Sequence, residues 1–578
     1  MRKTFLALTV LGLSGCTTMG DTGASAPVDI RIIGINDFHG HLDPPKQVVE
    51  KTQADGSKLR IPAGGAAYLA SAVDALKSDA PNHVVVAAGD LIGGTPLSSS
   101  LFLDEPAIFA MNMIGVEFNA AGNHEFDRGT DELLRMQNGG CEKHTTAEPC
   151  RVDTPFPGAQ FQILTANTFK EGKTLLPAYG LKDFGSGKAK VTVGFIGMTL
   201  EGTANLVSAS RIKGVEFADE ADTANALVPK LKAAGADVIV VLIHEGVTNP
   251  GDFNNPRCEG LTGALIPILD RLDPAIDVVV SGHTHQAYVC DYGLINPAKP
   301  ILLTSAGSFG RLVTGIDLKV DAASGRVLSK SARNIVVQSE AFTGARGAVP
   351  LVDAYPKFAP RADVAALVAR YRDAAKADES RVIGSLSGPA TRDGGKNGES
   401  LLGNLIADAQ LAATAAPENG GAQIAFMNPG GLRADVVPGT DGKVTFGSIF
   451  AAQPFGNILV TKTMTGQQIR ALLEQQFNDA NWLRILSPSN GFRFGYDLSK
   501  PAGQRVVFAT LNGQPLADAT SYRVTVSDFL SNGGDAFTLF KDGSDAMVGP
   551  TDIEALTAWL VAGRALPAIG RVERINGN

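Results

Sequence analysis

Between residues 30 and 337 one pattern recurs: a short apolar run rich in β-branched residues, a loop that opens on polar residues, then a helical or irregular stretch. The runs occupy 30–35, 84–88, 193–196, 238–243, 278–280 and 301–303. Continuous apolar runs of this length are what strands buried on both faces require, and strands that alternate with helices imply a sheet covered by helices. Residues 66–77 and 221–234 supply the helical spacing. This part of the chain is therefore an α/β domain.

The pattern breaks over 338–360, where Gly and Ala accompany Pro350, Pro356 and Pro360, and 361–376 then reads as a connecting helix. A second α/β segment begins near Val382, with helices over 401–414 and 466–478 and strands over 423–427 and 522–526. Two large domains also follow from 578 residues at the usual ~100 to 200 per domain. The division read from sequence is a signal at 1–16, a tether at 17–28, a first domain at 29–340, a linker and helix at 341–380, and a second domain at 381–578.

The signal consists of Met1, Arg2 and Lys3, an apolar stretch from Phe5 to Leu13, and small residues before Cys16. It is too short to span a bilayer. It resembles the bacterial lipoprotein signal, which implies lipidation of Cys16 and, with Thr17 rather than Asp next, delivery to an outer membrane. The expected location is the cell envelope, with membrane contact through the anchor only. Cys141, Cys150, Cys258 and Cys290 remain, an even number in an exported chain, which favours disulfides. Four cysteines allow three pairings; proximity favours Cys141 with Cys150 and Cys258 with Cys290. A net charge of -8 speaks against a nucleic-acid polymer as partner, since that affinity comes from clustered Lys and Arg. A small phosphorylated ligand is compatible with it, and a monomer is expected.

Five of the eight histidines directly follow predicted strands. The strings are Asn36-Asp37-Phe38-His39, Gly89-Asp90, Gly122-Asn123-His124-Glu125-Phe126-Asp127, Ile243-His244-Glu245 and Gly282-His283-Thr284-His285. Loops beyond the carboxyl ends of strands are where an α/β sheet gathers ligand-binding groups. Mixed carboxylate, imidazole and amide ligands suit Zn, Mn or Fe rather than Mg or Ca. Two such ions about 3.5 to 4 Å apart clamp a phosphoryl group and generate a hydroxide between them. Asp37, His39, Asp90, Asn123, His244, His283 and His285 supply a ligand set for a pair of divalent ions. Any one fragment alone has an ordinary reading as a turn or surface residue; the ordered set does not.

In order and spacing these fragments resemble the calcineurin-like metallophosphoesterases, with their D-x-H, G-D, G-N-H-E, H and G-H-x-H motifs. The resemblance implies an αββα sandwich in which Asp37, His39 and His285 bind one metal, Asn123, His244 and His283 bind the other, and Asp90 bridges them. It gives His124 a catalytic role against phosphoryl or leaving-group charge, oriented by Asp127. His285 stands where some relatives carry an amide. The segment 138–152, with its two cysteines, looks like an insertion after this motif and reads as a stapled surface loop, with a lid as the alternative.

The remaining chain narrows the resemblance. Thr391-Arg392, 399–405, Asn428-Pro429-Gly430-Gly431-Leu432-Arg433, Gln453-Pro454-Phe455-Gly456-Asn457, and Phe529 with Ser531-Asn532-Gly533-Gly534-Asp535 look like the bacterial and animal 5'-nucleotidases. This implies a C-terminal α/β nucleotide-binding domain. Arg392 and Arg433 offer forked donors to phosphate, Asn428 a hydrogen bond to a base, Phe455 and Phe529 a sandwich for it, and Asp535 an acceptor for ribose hydroxyls. In that family the two domains rotate relative to each other. The expected activity is release of phosphate from nucleoside 5'-monophosphates, with cleavage of UDP-sugars alongside. The rivals are action on 2',3'-cyclic nucleotides with 3'-nucleotidase activity, and NAD pyrophosphatase activity. A dimanganese enzyme of sulfur oxidation shares the architecture, but the phenylalanine pair argues against it. A surface lipoprotein that binds nucleotides or a host partner without turnover would not need His124 and Asp127.

Overall fold

The computed structural model describes residues 26–576 apart from 54, 146, 208–210, 345–346 and 478–482. Cys16 and the signal lie outside the described residues. Two six-stranded sheets face each other in the first domain. In chain order their strands are β1 (Val28–Ile35), β2 (His83–Ala87), β3 (Phe118–Ala120), β4 (Gln162–Leu164), β5 (Tyr179–Phe184), β6 (Val191–Thr199), β7 (Val238–His244), β8 (Val278–Ser281), β9 (Ala287–Asp291), β10 (Leu302–Ala306), β11 (Leu312–Asp321) and β12 (Arg326–Val336). One sheet runs β12-β11-β1-β2-β3-β4 and the other β9-β10-β8-β7-β6-β5. β1 to β4 are mutually parallel, as are β6, β7, β8 and β10.

The two-residue period of a strand sorts each apolar run between two cores. Val238, Val240 and Leu242 point between the sheets, where they meet Val28, Ile30 and Ile32 of β1. Ile239, Val241 and Ile243 point outward under the helix Glu220–Ala233. Ile33 and Ile35 pack outward under the helix Ala66–Ser78. Each such side chain contributes about 1.5 to 3 kcal/mol when fully buried, so both faces must be covered. The result is four layers, helices outside and sheets inside. The parallel strands all carry their carboxyl ends to one rim, where the polar loops follow.

The helix Ala362–Ser380 buries Val364, Leu367, Val368, Tyr371 and Ala375 in the same core as the outer face of β1. Its Tyr371 ring lies 5.0 Å from Phe102, and its hydroxyl donates to Asp153 at 2.9 Å. The helix is thus built into the first domain.

Beyond it, a five-stranded sheet runs Ser487–Pro488, Ile424–Met427, Ser521–Ser527, Ile458–Thr465, Ser544–Thr551. Separate apolar clusters cover it, one around Phe426, Ile469 and Phe492 and one around Leu405, Met427 and Leu556. The helix Leu401–Thr414 begins where Ser400 Oγ accepts from Gly403 N at 3.1 Å. The helix predicted over 466–478 is shorter, Gly466–Glu474, and continues as a tighter turn, Gln475–Phe477; position 478 lies outside the described residues. Among the described residues no helix is long and apolar enough to cross a membrane.

Cys141 is bonded to Cys150 and Cys258 to Cys290. The first bond staples a largely exposed loop beside the helix Glu105–Ile114, where buried Glu105 accepts from both Cys150 N at 2.9 Å and Arg135 at 2.8 Å. Residues 139–145 and 147–152 therefore form a tethered surface loop.

Candidate active site

The rim of the first domain gathers its chemistry from five strand ends. Asp37 and His39 follow β1, Asp90 follows β2, Asn123 and His124 follow β3, His244 closes β7, and His283 and His285 follow β8. Asp37, His39, Asp90, His283 and His285 all adopt positive φ, between 45° and 69°. Non-glycine residues rarely hold that conformation, and it costs energy that surrounding contacts must supply. A tight turn just past each strand aims the side chain back over the sheet edge.

These side chains converge in overlapping groups, Asp37, His39 and His285 in one and Asp90, His244 and His283 in another, with His39 and Asp90 also meeting His124 in a third. His285 Nε2 lies 3.4 Å from Asp37 Oδ1 and 3.1 Å from His39 Nε2. Asp90 Oδ2 lies between the groups, 3.5 Å from His39 Nε2 and 3.0 Å from His244 Nε2. Asn123 is buried beside them, and its Oδ1 has no hydrogen-bond partner among the described residues.

The donor set fits divalent cations. His39 donates Nδ1–H to Gly93 O and His244 donates Nδ1–H to Ala88 O, each at 2.8 Å, which leaves the Nε2 lone pairs for the cluster. That outer hydrogen bond is the usual way a ligating imidazole is held in its tautomer. Burial works against a charged His244, but Asp90 outweighs it and lifts the imidazole to about 10, so the pair attracts positive charge. Burial likewise pushes Asp37 up to about 7 against the pull of His244. Gly122 is required here, because a Cβ would stand 2.2 Å from Asp90 Oδ1.

Sequence reasoning passed over the residues that hold the ligands in place. Glu125 accepts from the backbone N–H of Asp90 and Leu91, both at 2.9 Å, and so ties the loop after β3 to the loop after β2. Asn36 donates to Asp37 Oδ2 and to Gly307 O, both at 2.6 Å. Both sit inside the quoted motifs, and a buried polar side chain beside a ligand was the available signal.

His124 donates Nδ1–H to Asp127 Oδ2 at 2.8 Å, and its backbone N–H meets Asp90 Oδ1 at 2.9 Å. Burial lowers its pKa, but Asp127 and Asp90 together raise it above the ordinary imidazole value. The second domain reaches this histidine directly. The Phe455 ring stacks on His124 with centroids 5.6 Å apart and planes 12° from parallel. The Arg433 guanidinium lies 5.7 Å from the Phe455 ring. Burial lowers the pKa of Arg433, and Asp90 and Asp127 across the domain boundary oppose that shift.

Other second-domain residues stand behind this contact. Arg392 donates to the carbonyl oxygens of Leu432 and Arg433, at 3.4 and 3.0 Å, and so supports the turn that carries Arg433. Asn428 donates to Asp535 Oδ2 at 2.6 Å. The half-buried Phe529 ring covers Gly534, where a Cβ would come within 2.5 Å of it.

Comparison with known proteins agrees with this arrangement. Residues 30–287 match the model of the calcineurin-like phosphoesterases and residues 382–542 that of the 5'-nucleotidase C-terminal domain. An endonuclease of Bacillus subtilis is 29% identical over 93% of this chain and 40% of its own length. A cell wall protein of Listeria monocytogenes is 30% identical over 98% of this chain and 72% of its own length. The chain thus spans less than half of the first relative. The crystal structure of a 5'-nucleotidase precursor from Thermus thermophilus superposes with a TM-score of 0.70 at 26% identity, covering 95% of this chain and all of that one. The chain belongs to the family that joins a calcineurin-like phosphoesterase domain to a 5'-nucleotidase C-terminal domain.

Proposed function

We propose that the protein is a metal-dependent hydrolase of the cell envelope that releases phosphate from nucleoside 5'-monophosphates. The observation that carries this reading is the meeting of Arg433 and Phe455 with His124 at the rim of the cation-binding cluster. A phosphate and an aromatic base are the two halves of a nucleotide, and these are the side chains that hold each. Asp37, His39 and His285 would hold one divalent ion, Zn or Mn, and Asn123, His244 and His283 the other, with Asp90 available to both. Bound there, two such ions supply Lewis acidity toward phosphoryl oxygens and lower the pKa of a water molecule.

The chain's own groups do the rest. Arg433 offers a forked pair of donors to the phosphate. His124, oriented by Asp127, presents Nε2–H to the oxygen on which charge develops as the phosphorus–oxygen bond breaks. Phe455 and Phe529 take the base, Asn428 its polar edge, and Asp535 the ribose hydroxyls. The working units are 29–340, the connecting segment 341–380, and 381–578, and rotation of 381–578 against 29–340 delivers the nucleotide. Two disulfides fit an oxidising compartment, with Cys16 as the lipid anchor. The name of the Bacillus relative favours a second reading, cleavage of phosphodiesters.

One panel tests both. Purified protein loaded with Mn, Zn or Mg is assayed on AMP, UMP, UDP-glucose, NAD and 2',3'-cyclic AMP. Phosphate release from AMP or UMP, abolished by Asp90→Ala, is the expected result. Phe455→Ala combined with Phe529→Ala is expected to impair AMP use and spare p-nitrophenyl phosphate. Metal-loaded protein inert on every substrate overturns the enzyme reading, and turnover confined to the cyclic substrate moves it to diesters.

A further inference from the structure

Two glycines pack directly against His124. Gly93 and Gly94 both hold positive φ, 76° and 56°. A Cβ on Gly93 would stand 2.4 Å from His124 O and 2.8 Å from Asp127 Oδ2. One on Gly94 would lie 3.4 Å from the Phe455 ring, 3.5 Å from His39 Nδ1 and 3.6 Å from His124 Cε1. Only glycine permits so close an approach at these angles, and the turn limits where the His124–Asp127 pair can sit.

A carboxylate outside the cation-binding set holds this turn. Asp104 is fully buried and accepts from Gly93 N at 3.2 Å, Thr95 Oγ1 at 2.6 Å and Ser99 Oγ at 2.7 Å. Its fourth donor is the Arg128 guanidinium. Arg128 directly follows Asp127 and donates again, to Ser100 Oγ at 2.9 Å. One ion pair therefore grips both the turn against His124 and the residue next to Asp127. Burial opposes the charge on Asp104, but Arg128 and the hydroxyl groups outweigh it and hold the carboxyl below its ordinary value.

Local stability does not account for this placement. Asp104 occupies the N-cap position of the helix Glu105–Ile114, where an aspartate ordinarily accepts from the helix's own N–H groups, yet its side chain makes no such bond. Asp104 and Leu103 hold φ of 64° and 57°, a region that strains non-glycine residues. The cap is forgone and the strain is tolerated, and the carboxylate faces the active-site turn and Arg128 instead.

We infer that Asp104 and Arg128 are positioning residues that act through Gly93 and Asp127 to aim His124 at the leaving oxygen. This deepens the phosphohydrolase reading and rests on it: neither residue belongs to the cation-binding set, and the step they serve is hydrogen-bond donation to the oxygen that departs as the phosphorus–oxygen bond breaks.

Phenyl phosphate and p-nitrophenyl phosphate separate this role from a merely structural one, because phenolate is the poorer leaving group and depends more on a donor. In metal-loaded protein, Arg128→Met is expected to lower kcat on phenyl phosphate by about 10- to 100-fold, the scale of a displaced catalytic group. On p-nitrophenyl phosphate the loss is expected to stay below about threefold, with KM and metal content at their native values. Arg128→Lys, which keeps a cation beside Asp104, is expected to restore most of the loss. Asp104→Asn keeps an oxygen for the hydroxyl groups but leaves Gly93 N and Arg128 without an acceptor, and is expected to repeat the Arg128→Met pattern. In a His124→Asn background, Arg128→Met is expected to change neither rate further. Equal losses on the two esters overturn the inference, as do loss of metal in step with activity, a further loss in the His124→Asn background, or failure of both Arg128→Met and Asp104→Asn to fold. Neither ester carries a nucleoside, so native protein that hydrolyses them but not AMP fails the nucleotidase reading alone. Native protein inert on both esters overturns this inference together with the enzyme reading.

Discussion

His124 is the residue on which the two domains converge, and its surroundings define a testable role. Asp127 orients it from one side, Asp90 fixes its backbone, and Phe455 covers its ring. His124→Asn and Asp127→Asn are therefore expected to reduce turnover by about 10² to 10⁴, the range for loss of a positioned proton donor, while metal content stays at the native level. Elemental analysis alongside kcat decides it, because loss of metal in step with activity would make His124 a ligand instead. Much of this site was legible because a ligand must follow a strand to reach the rim, and the motif spacing preserves that order. Glu125 was less legible. Its work is to accept backbone N–H groups from the neighbouring loop, and no spacing rule distinguishes such an acceptor from a surface glutamate. The stacking of Phe455 on His124 joins residues more than three hundred positions apart, a proximity that no local pattern can encode.

Among elements, strands buried on both faces were the easiest to read, since every residue of β7 is apolar until His244 closes it. The hairpin of β11 and β12 escaped notice because β12 lies at a sheet edge and its sequence, RVLSKSARNIV, is mostly exposed until its last three residues. β3 and β4 have three residues each, too short for periodicity to register. In the second domain the helix Asp552–Val561 is held by a capping box between Thr551 and Glu554. Its first residue is tied to the segment that carries Phe455: Asp552 N–H donates to Asn457 O at 2.8 Å, and Asn457 Nδ2 reaches Asp552 Oδ2 at 3.3 Å. Burial raises the Asp552 carboxyl to about 7, against the hydrogen bonds that favour its charge. In the unfolded chain the same group ionises near ~3.9. Between those values the folded state holds a proton that the unfolded state has released, so this residue's contribution to stability falls as pH rises from 4 to 7 and is level above. Asp552→Asn removes the titration. The thermal midpoint of the variant minus that of the native protein is expected to climb across that window, whereas a difference independent of pH would show that Asp552 ionises normally in the fold.

At the scale of the whole molecule, the two domains have separate cores but a shared site. The first core extends to Ala375 in the helix Ala362–Ser380, and the second domain's apolar clusters begin at Ile383. Cation-binding side chains come from the first domain alone, whereas Arg433 and Phe455 come from the second. Bound cations should therefore stabilise one core and not the other. Buried Asp37 and Asp90 oppose each other across the cluster, and positive charge placed among them favours the folded first domain. A ligand present at 100 to 1,000 times its dissociation constant contributes about 2.7 to 4.1 kcal/mol. For a domain of this size that corresponds to roughly 4 to 6 °C in the unfolding temperature. Differential scanning calorimetry of metal-loaded and chelator-treated protein should show one transition moving down by that amount and a second unmoved. Circular dichroism of Leu69→Ala, which weakens the first core, should lower the same transition that the chelator lowers. Transitions insensitive to chelation would refute resident cations at the cluster, and two transitions displaced by the same amount would refute the independence of the two cores.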